Sequence, residues 1–386
     1  MKEAVIVSAV RSAIGKAHKG SLVNMRIDDL GALVVQEAVQ RVPGLKVEEI
    51  EDVIIGCAMP EGEQGLNVAR LISLLARIPM TAAGTTINRF CGSSLQAINF
   101  AAQAIMTGNG EVFVAGGIES MSHVPMRGFN PSLNEKFMGE DYPDAYISMG
   151  MTAENLAEKY QISREEQDEF ALLSHQKAIR AIQAGQFKRE IVPVEVVLSD
   201  GTPRIFDTDE GPRPDTSLSK LAALEPAFKQ GGTVTAGNAS PLSDGAAAVV
   251  LMSRNKAQEL GIKPLAVIRA MAVAGVDPTI MGIGPVPAVQ KALKRAGLTL
   301  EDMDIIELNE AFAAQALAVI RELKIDPKKL NPRGGAIALG HPLGATGARI
   351  MATLIHEMQD MDARFGLETM CIGGGQGIAT IIQREN

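Results

Sequence analysis

The chain has 386 residues, 46% hydrophobic and 21% charged, with 37 Lys and Arg against 45 Asp and Glu for a net charge of −8. That is two to three domains' worth of chain with ample material for a buried core, and the composition excludes disorder for its bulk. The acidic balance, no Trp and 4% aromatics argue against a nucleic-acid binder, which needs basic excess and stacking surfaces, but leave room for a phosphate-bearing small ligand met by a few local Arg or Lys.

In chain order, Ala4–Val10 reads as a buried first strand. It has no basic segment ahead of it and so does not read as a signal sequence. Asp29–Val42 has a helical period. Val53–Ile55 is a short apolar strand, Thr85–Ile87 is strand-like, Ser94–Met106 is an alanine-rich helix and Val112–Ala115 is a strand. The stretch 119–240 is less regular and rich in Met, polar and loop residues. Within it Ser163-Arg164-Glu165-Glu166 forms a capping box for a helix through Ala184 that Gly185 stops. Asp207–Lys220 has no apolar period and reads as an exposed loop excursion, the kind of segment that often binds ligands. Strands follow at Ala246–Met252, Leu265–Ile268, Ile305–Leu308 and Thr369–Ile372, with helices at Pro287–Ala296, Ala311–Leu323 and Gly347–Met358. Such alternation implies α/β layers with helices covering sheets. No window reaches 18 apolar residues, so no membrane span is expected. Neither end reads as a targeting segment, which makes the cytoplasm the expected compartment.

The chain carries a faint internal echo. Glu51-Asp52-Val53-Ile54-Ile55 resembles Asp302-Met303-Asp304-Ile305-Ile306. Cys91 lies 37 residues after Ile54, and His341 lies 35 after Ile306, and each reads as opening a helix. Downstream of each come a strand and a glycine pair, Val114-Ala115-Gly116-Gly117 and Cys371-Ile372-Gly373-Gly374. Two related halves would place Cys91 and His341 at equivalent points. Chance likeness among apolar α/β units gives the same echo.

Only three cysteines occur, with no Cys-x-x-Cys, and the five histidines are scattered. That is neither a disulfide framework nor a zinc site. Cys91 stands in Asn88-Arg89-Phe90-Cys91-Gly92-Ser93-Ser94, ahead of a helix whose N-terminal dipole would lower a thiol pKa. A small buried core cysteine is the alternative. His341 stands among five glycines before Pro342, as a positioned base or a satisfied structural histidine. Cys371 ends a strand that runs into Gly373-Gly374-Gly375, whose N–H groups suit an oxyanion; core packing is again the alternative. Asn309, in Asn309-Glu310-Ala311-Phe312, caps a helix or serves catalysis. Cys57 has no polar or glycine-rich setting and reads as core. A nucleophile, a base and a second thiol at glycine-rich element ends fit covalent acyl transfer.

These segments resemble the thiolase family over essentially the whole chain, in family order, together with Gly237-Asn238-Ala239-Ser240 and Ser243-Asp244-Gly245. The resemblance is strongest to the 3-ketoacyl-CoA thiolases of fatty-acid β-oxidation. It implies a thiolase fold of two pseudo-symmetric βαβαβαββ halves in a layered αβαβα sandwich. The halves would be 1–118 with its return 241–263, and 264–386, with an inserted CoA-binding loop domain at 119–240. It implies thiolysis of 3-oxoacyl-CoA to acetyl-CoA and a shortened acyl-CoA through a Cys91 acyl-enzyme, with His341 as base and Cys371 as acid. One oxyanion hole would come from His341 and a water on Asn309, and the other from the N–H groups of Cys91 and Gly373. CoA and acyl-CoA are substrates, and no tightly bound cofactor or metal is implied. The CoA contacts it suggests are Arg213, Lys220, Phe228, Ser240, Phe312 and Met149. It implies a homodimer or homotetramer and admits a hydratase/dehydrogenase partner subunit. Ser148 stands where acetoacetyl-CoA-specific members carry histidine, which favours the degradative class over a biosynthetic acetoacetyl-CoA thiolase. A ketoacyl-synthase-like enzyme would have a Cys-His-His set instead of Cys371, and a non-catalytic lipid-binding relative would have no need of all three residues.

Overall fold

The computed structural model describes residues 2–138, 143–198 and 200–385. The first half contains β1 (Ala4–Ser12), α1 (Ile27–Gln40), β2 (Asp52–Gly56), α2 (Val68–Leu75), β3 (Ala83–Ile87), α3 (Ser93–Thr107) and β4 (Val112–Ser120). The chain then leaves the sheet for a long excursion built around α4 (Met149–Lys159) and α5 (Arg164–Gln183), and returns as β5 (Ser243–Ser253). The second half repeats the plan with β6 (Ala266–Gly275), α6 (Pro285–Ala296), β7 (Ile305–Leu308), α7 (Ala313–Leu323), α8 (Thr346–Asp360), β8 (Phe365–Ile372) and β9 (Gln376–Gln383).

The hydrogen bonding makes the repeat explicit. The first sheet runs β3-β2-β4-β5-β1, with β2 parallel to β3 and β4, and β5 antiparallel to β4 and β1. The second runs β7-β8-β9-β6, with β7 parallel to β8 and β9 antiparallel to both neighbours. The place of β3 is held there by a single parallel bridge, Ile306 to Leu330. The echo between 51–55 and 302–306 thus reflects equivalent second strands, and Cys91 and His341 both lie just ahead of the third helix of their half. Among the described residues the sheets join through two antiparallel pairs, Val5 with Val267 and Ile6 with Ala266, where β1 meets β6.

Helices α3 and α8 are apolar on more than one face, so they must be covered on both sides. They form the middle layer: Leu95, Ile98 and Ile105 pack with Ile350, Leu354 and Met358 between strands of both halves. Helices α1 and α2 cover the outer face of the first sheet, and α6 and α7 that of the second. The result is the expected five-layer αβαβα sandwich. The capping box opens α5, with Ser163 Oγ accepting from Glu166 N–H, and Gly185 follows its end at φ +69°. No helix among the described residues is long and apolar enough to cross a membrane.

Three local expectations need correction. His341 does not open a helix: a short 3-10 turn, Leu343–Ala345, intervenes before α8 begins at Thr346. Asn309 does not cap α7, which starts at Ala313 behind Phe312. Asp207–Lys220 is not uniformly exposed, because Arg11 donates both Nη atoms to a buried Asp209 at 2.8 and 2.9 Å and its Nε to Glu190 at 2.6 Å. The glycines after Cys371 lead into a further strand, β9. Gly374 and Gly375, at φ +78° and +82°, make the tight turn from β8 into β9.

Candidate active site

Cys91 lies in a 3-10 turn, Phe90–Gly92, that runs directly into α3. Side chains lock this turn. Phe90 N–H donates to Asn88 Oδ1 at 2.7 Å, and Asn88 Nδ2 donates to Ala58 O at 3.0 Å. Arg89 N–H donates to Ser93 Oγ at 2.9 Å, which in turn donates to Phe90 O at 2.6 Å. They hold Phe90 at φ +45°, a left-handed conformation uncommon for a bulky residue and typical of functional sites. A Cβ on Gly92 would stand 2.6 Å from Ile372 Cδ1, so the turn presses on the end of β8. The Cys91 sulfur sits against the N–H of Gly373 and its own N–H. Burial nevertheless pushes the thiol up to about 11, with a further push from the Glu119 carboxylate. The lowering expected at a helix N-terminus is overridden, because removal from water disfavours the thiolate more than two N–H groups favour it. The resting group is a thiol, and it needs a base.

His341 supplies a lone pair of fixed identity. Thr346 Oγ1 has one proton and donates it to Pro342 O at 3.0 Å. The 2.7 Å contact between Thr346 Oγ1 and His341 Nδ1 is therefore donated by the imidazole. That assigns the proton to Nδ1 and leaves Nε2 as an acceptor, with the Asn309 Nδ2 donor 3.4 Å away. Burial first, then the Arg349 charge, pull the His341 pKa down to about 3, so it is neutral at physiological pH. Its own N–H is held by Ser243 Oγ at 3.1 Å. Asn309 is buried, and its Oδ1 meets no protein donor among the described residues. Thr346 was not singled out from sequence, and Ser243 entered only as part of a matching segment. The available signal was a hydroxyl residue at the helix start five positions after a histidine.

Cys371 is the next-to-last residue of β8, fully buried, and its thiol is raised by burial and by the nearby Cys91. Two residues on, Gly373 presents its N–H to Cys91. Cys91, Cys371 and Gly373 therefore share one site, with His341 and Asn309 paired on each other. Leu343, two residues past the histidine, packs against Cys91. Cys57 is buried in the core beneath α1 and α2.

Of the residues suggested for CoA, four adjoin this centre. Phe312 lies in one apolar cluster with Cys371, Ala239 and Met149. Its ring meets Phe228 edge to face at 5.9 Å. The Gly237–Ser240 turn is docked on the same segment, Ser240 N–H donating to Ala311 O at 2.9 Å. Met149 Sδ lies 3.5 Å from where a Gly373 Cβ would stand. Arg213 and Lys220 sit on the exposed surface of the excursion. Arg213 N–H donates to His175 Nδ1 at 3.2 Å, and Lys220 pairs with Asp215 at 2.6 Å. Ser148 caps α4, accepting from Met151 N–H at 3.4 Å.

The N-terminal thiolase domain matches residues 4–255 and the C-terminal thiolase domain residues 262–384, so the chain belongs to the thiolase family. It is 54% identical to a protein of Bacillus subtilis named 3-ketoacyl-CoA thiolase, over 99% of this chain and 100% of that one. Its structure resembles the Bacillus anthracis acetyl-CoA acetyltransferase at a TM-score of 0.92 and 45% identity, covering 100% of this chain and 99% of that one. It resembles human mitochondrial 3-ketoacyl-CoA thiolase equally well, at a TM-score of 0.92 and 42% identity with the same coverage.

Proposed function

We propose that this protein cleaves 3-oxoacyl-CoA with CoA, giving acetyl-CoA and an acyl-CoA two carbons shorter, as the last step of fatty-acid β-oxidation. The observation that carries this reading is the meeting of Cys91, Cys371 and the Gly373 N–H around one sulfur, with a neutral His341 whose Nε2 is the bare nitrogen. His341 Nε2 takes the Cys91 proton, and the thiolate attacks the 3-keto carbon. The C2–C3 bond breaks, the shortened acyl group stays on Cys91 as a thioester, and Cys371 protonates the departing acetyl-CoA carbanion. The incoming CoA thiol returns a proton to Cys371 and attacks the thioester. Cys91 leaves and recovers its proton from His341.

Two charges need fixed donors during this cycle. The N–H groups of Cys91 and Gly373 serve the oxyanion formed at the acyl carbon. His341 and a water on Asn309 Oδ1 serve the enolate oxygen. Phe228, Phe312, Met149 and Ser240 line the pantetheine arm, and the cations of Arg213 and Lys220 meet the nucleotide end. Segment 119–240 acts as the CoA-binding loop domain between 1–118 and its return 241–263, with 264–386 as the second half.

A second reading, condensation of two acetyl-CoA molecules, draws support from the likeness to the Bacillus anthracis acetyltransferase. Ser148 in place of a histidine favours the degradative one. Thioester loss on 3-oxoacyl-CoA substrates of four to sixteen carbons, wild type beside Cys91→Ala, separates the two. Cleavage of long substrates by wild type alone supports β-oxidation, and reaction of the four-carbon substrate alone supports condensation. A homodimer or homotetramer is part of the proposal. In support, β3 ends the first sheet's order, and Leu66, 91% exposed, lines a groove along it with Thr85 and Thr86. Light scattering at micromolar concentration tests this, and a monomer would refute it.

A further inference from the structure

Glu119, next to last in β4, is buried among apolar residues, yet its carboxylate is fully engaged. Oε2 accepts from Ala58 N–H at 2.8 Å and from Gly344 N–H at 2.8 Å. Oε1 accepts from Gln64 Nε2 at 2.9 Å and Met59 N–H at 3.2 Å. Four N–H donors on two oxygens, with the Cys57 thiol a weaker fifth at 3.9 Å from Oε1, suit an ionised carboxylate, which only accepts; a protonated acid would set its O–H against one of them. Gln64 is itself pinned, donating to Met59 O at 2.7 Å and accepting from Ser120 N–H.

The four N–H donors belong to two different walls of the active site. Ala58 O accepts from Asn88, and Asn88 holds the N–H of Phe90, so one arm runs Glu119–Ala58–Asn88–Phe90 to the nucleophile turn. Gly344 lies three residues past His341, inside the turn that Thr346 and Pro342 close around the imidazole. Fit leaves this turn little freedom: a Cβ on Gly344 would stand 2.7 Å from Cys57 Cα, and one on Gly117 2.2 Å from Gly344 O. Ala58, Met59, Leu343 and Met121 then surround Cys91 in one cluster. One side chain of the first half thus hydrogen-bonds to both the segment bracing the nucleophile and the segment carrying the base of the second half.

We infer that Glu119 is a positioning residue for the thiolase reaction, its ionised carboxylate setting the spacing of Cys91 against His341 across the two halves. This rests on the activity proposed above. A misplacement of about 1 Å costs on the order of 100-fold in rate. Glu119→Gln, which turns an NH2 group against N–H donors, is therefore expected to lower kcat about 100-fold with KM for CoA nearly unchanged. It also removes a negative charge near Cys91, so the pH midpoint of Cys91 alkylation by iodoacetamide, followed by peptide mass spectrometry, should move down. A slower enzyme with a more reactive thiol is a combination that plain loss of folded protein does not produce. Glu119→Asp keeps the charge but shortens the reach. It should lose kcat while leaving the alkylation midpoint in place.

The measurements use the full-length protein, with circular dichroism to count the folded fraction. Wild-type kcat and alkylation midpoint in folded Glu119→Gln would overturn the inference. If Glu119→Gln does not fold, Glu119→Asp decides: wild-type kcat in that variant overturns the positioning role. Wild type that turns over no 3-oxoacyl-CoA would overturn the proposed activity instead, and the alkylation midpoint of Cys91 would still read the link between Glu119 and Cys91.

Discussion

The tautomer of His341 hangs on one hydroxyl. Thr346 Oγ1 accepts the Nδ1 proton at 2.7 Å and passes its own to Pro342 O at 3.0 Å, with no access to water. Thr346→Val keeps the shape and removes both bonds. The stranded Nδ1–H then costs about 1–3 kcal/mol. The ring can escape by moving its proton to Nε2, but there it faces the Asn309 amide donor and cannot accept from Cys91. Either way the productive form loses about 1–3 kcal/mol, a fall of about 5- to 150-fold in kcat. The KM for CoA should stay within about twofold, since nothing that contacts substrate is removed. Steady-state thiolysis of acetoacetyl-CoA, with circular dichroism to confirm folding, measures this. Thr346→Ser restores the hydroxyl and should restore most of the rate. A folded Thr346→Val enzyme with wild-type kcat would refute the tautomer assignment.

Three further outcomes are expected. In Gly150→Ala the new methyl would stand 2.1 Å from Phe228 Cγ, so the ring must leave its edge-to-face contact with Phe312; KM for long acyl-CoA should rise about tenfold, and an unchanged KM would place the acyl-pantetheine path elsewhere. Asp209→Asn leaves Arg11 buried without a full partner and should destabilise the chain by about 3–5 kcal/mol, read as a drop in the urea midpoint; a loss under about 1 kcal/mol would show the pair is solvated. His175 has its pKa pulled down to about 4 by burial, then by the charges of Arg213 and Lys16. The unfolded chain therefore binds more protons below pH 6.5, and stability should fall as pH drops from 6.5 toward 4, by about 2 kcal/mol at pH 5. His175→Gln should flatten that slope in thermal scans, and an unchanged slope would assign it to other groups.

Cys91, His341 and Cys371 were legible because each stands at an element end rich in small residues, where side-chain chemistry is exposed by local backbone shape. The strands and the middle helices were legible because burial on both faces leaves uninterrupted apolar runs. What was not legible comes from tertiary contact. Thr346 acquires its role from the fold-back of Pro342. The Cys91 pKa reverses direction because the sandwich closes over a turn that local sequence presents as an ordinary helix start. Strand β9 was missed because the glycines before it signal a loop, whereas they form a hairpin turn. Asp209 was read as exposed because nothing near it in sequence announces Arg11, almost two hundred residues earlier. Asn309 looked like a cap because it follows a strand and precedes a helix; the helix starts four residues later, freeing its amide for His341.

The pairing of the first strand has a consequence for synthesis. β1 is apolar and buried along its whole length, and its partner in the first sheet is β5, Ala4 facing Ser253. At roughly 5–20 residues per second, the ribosome needs on the order of 10–50 s to deliver that partner. Until then β1 and β4 have no strand between them, and two hydrophobic edges stand open to the wrong neighbours. A nascent chain halted after residue 120 lacks β5, the strand that joins β1 to β4, whereas one halted after residue 255 carries all five. The smallest autonomous folding unit of the first half therefore includes the entire excursion, and holdase binding to ribosome-bound chains should be heaviest between those two lengths.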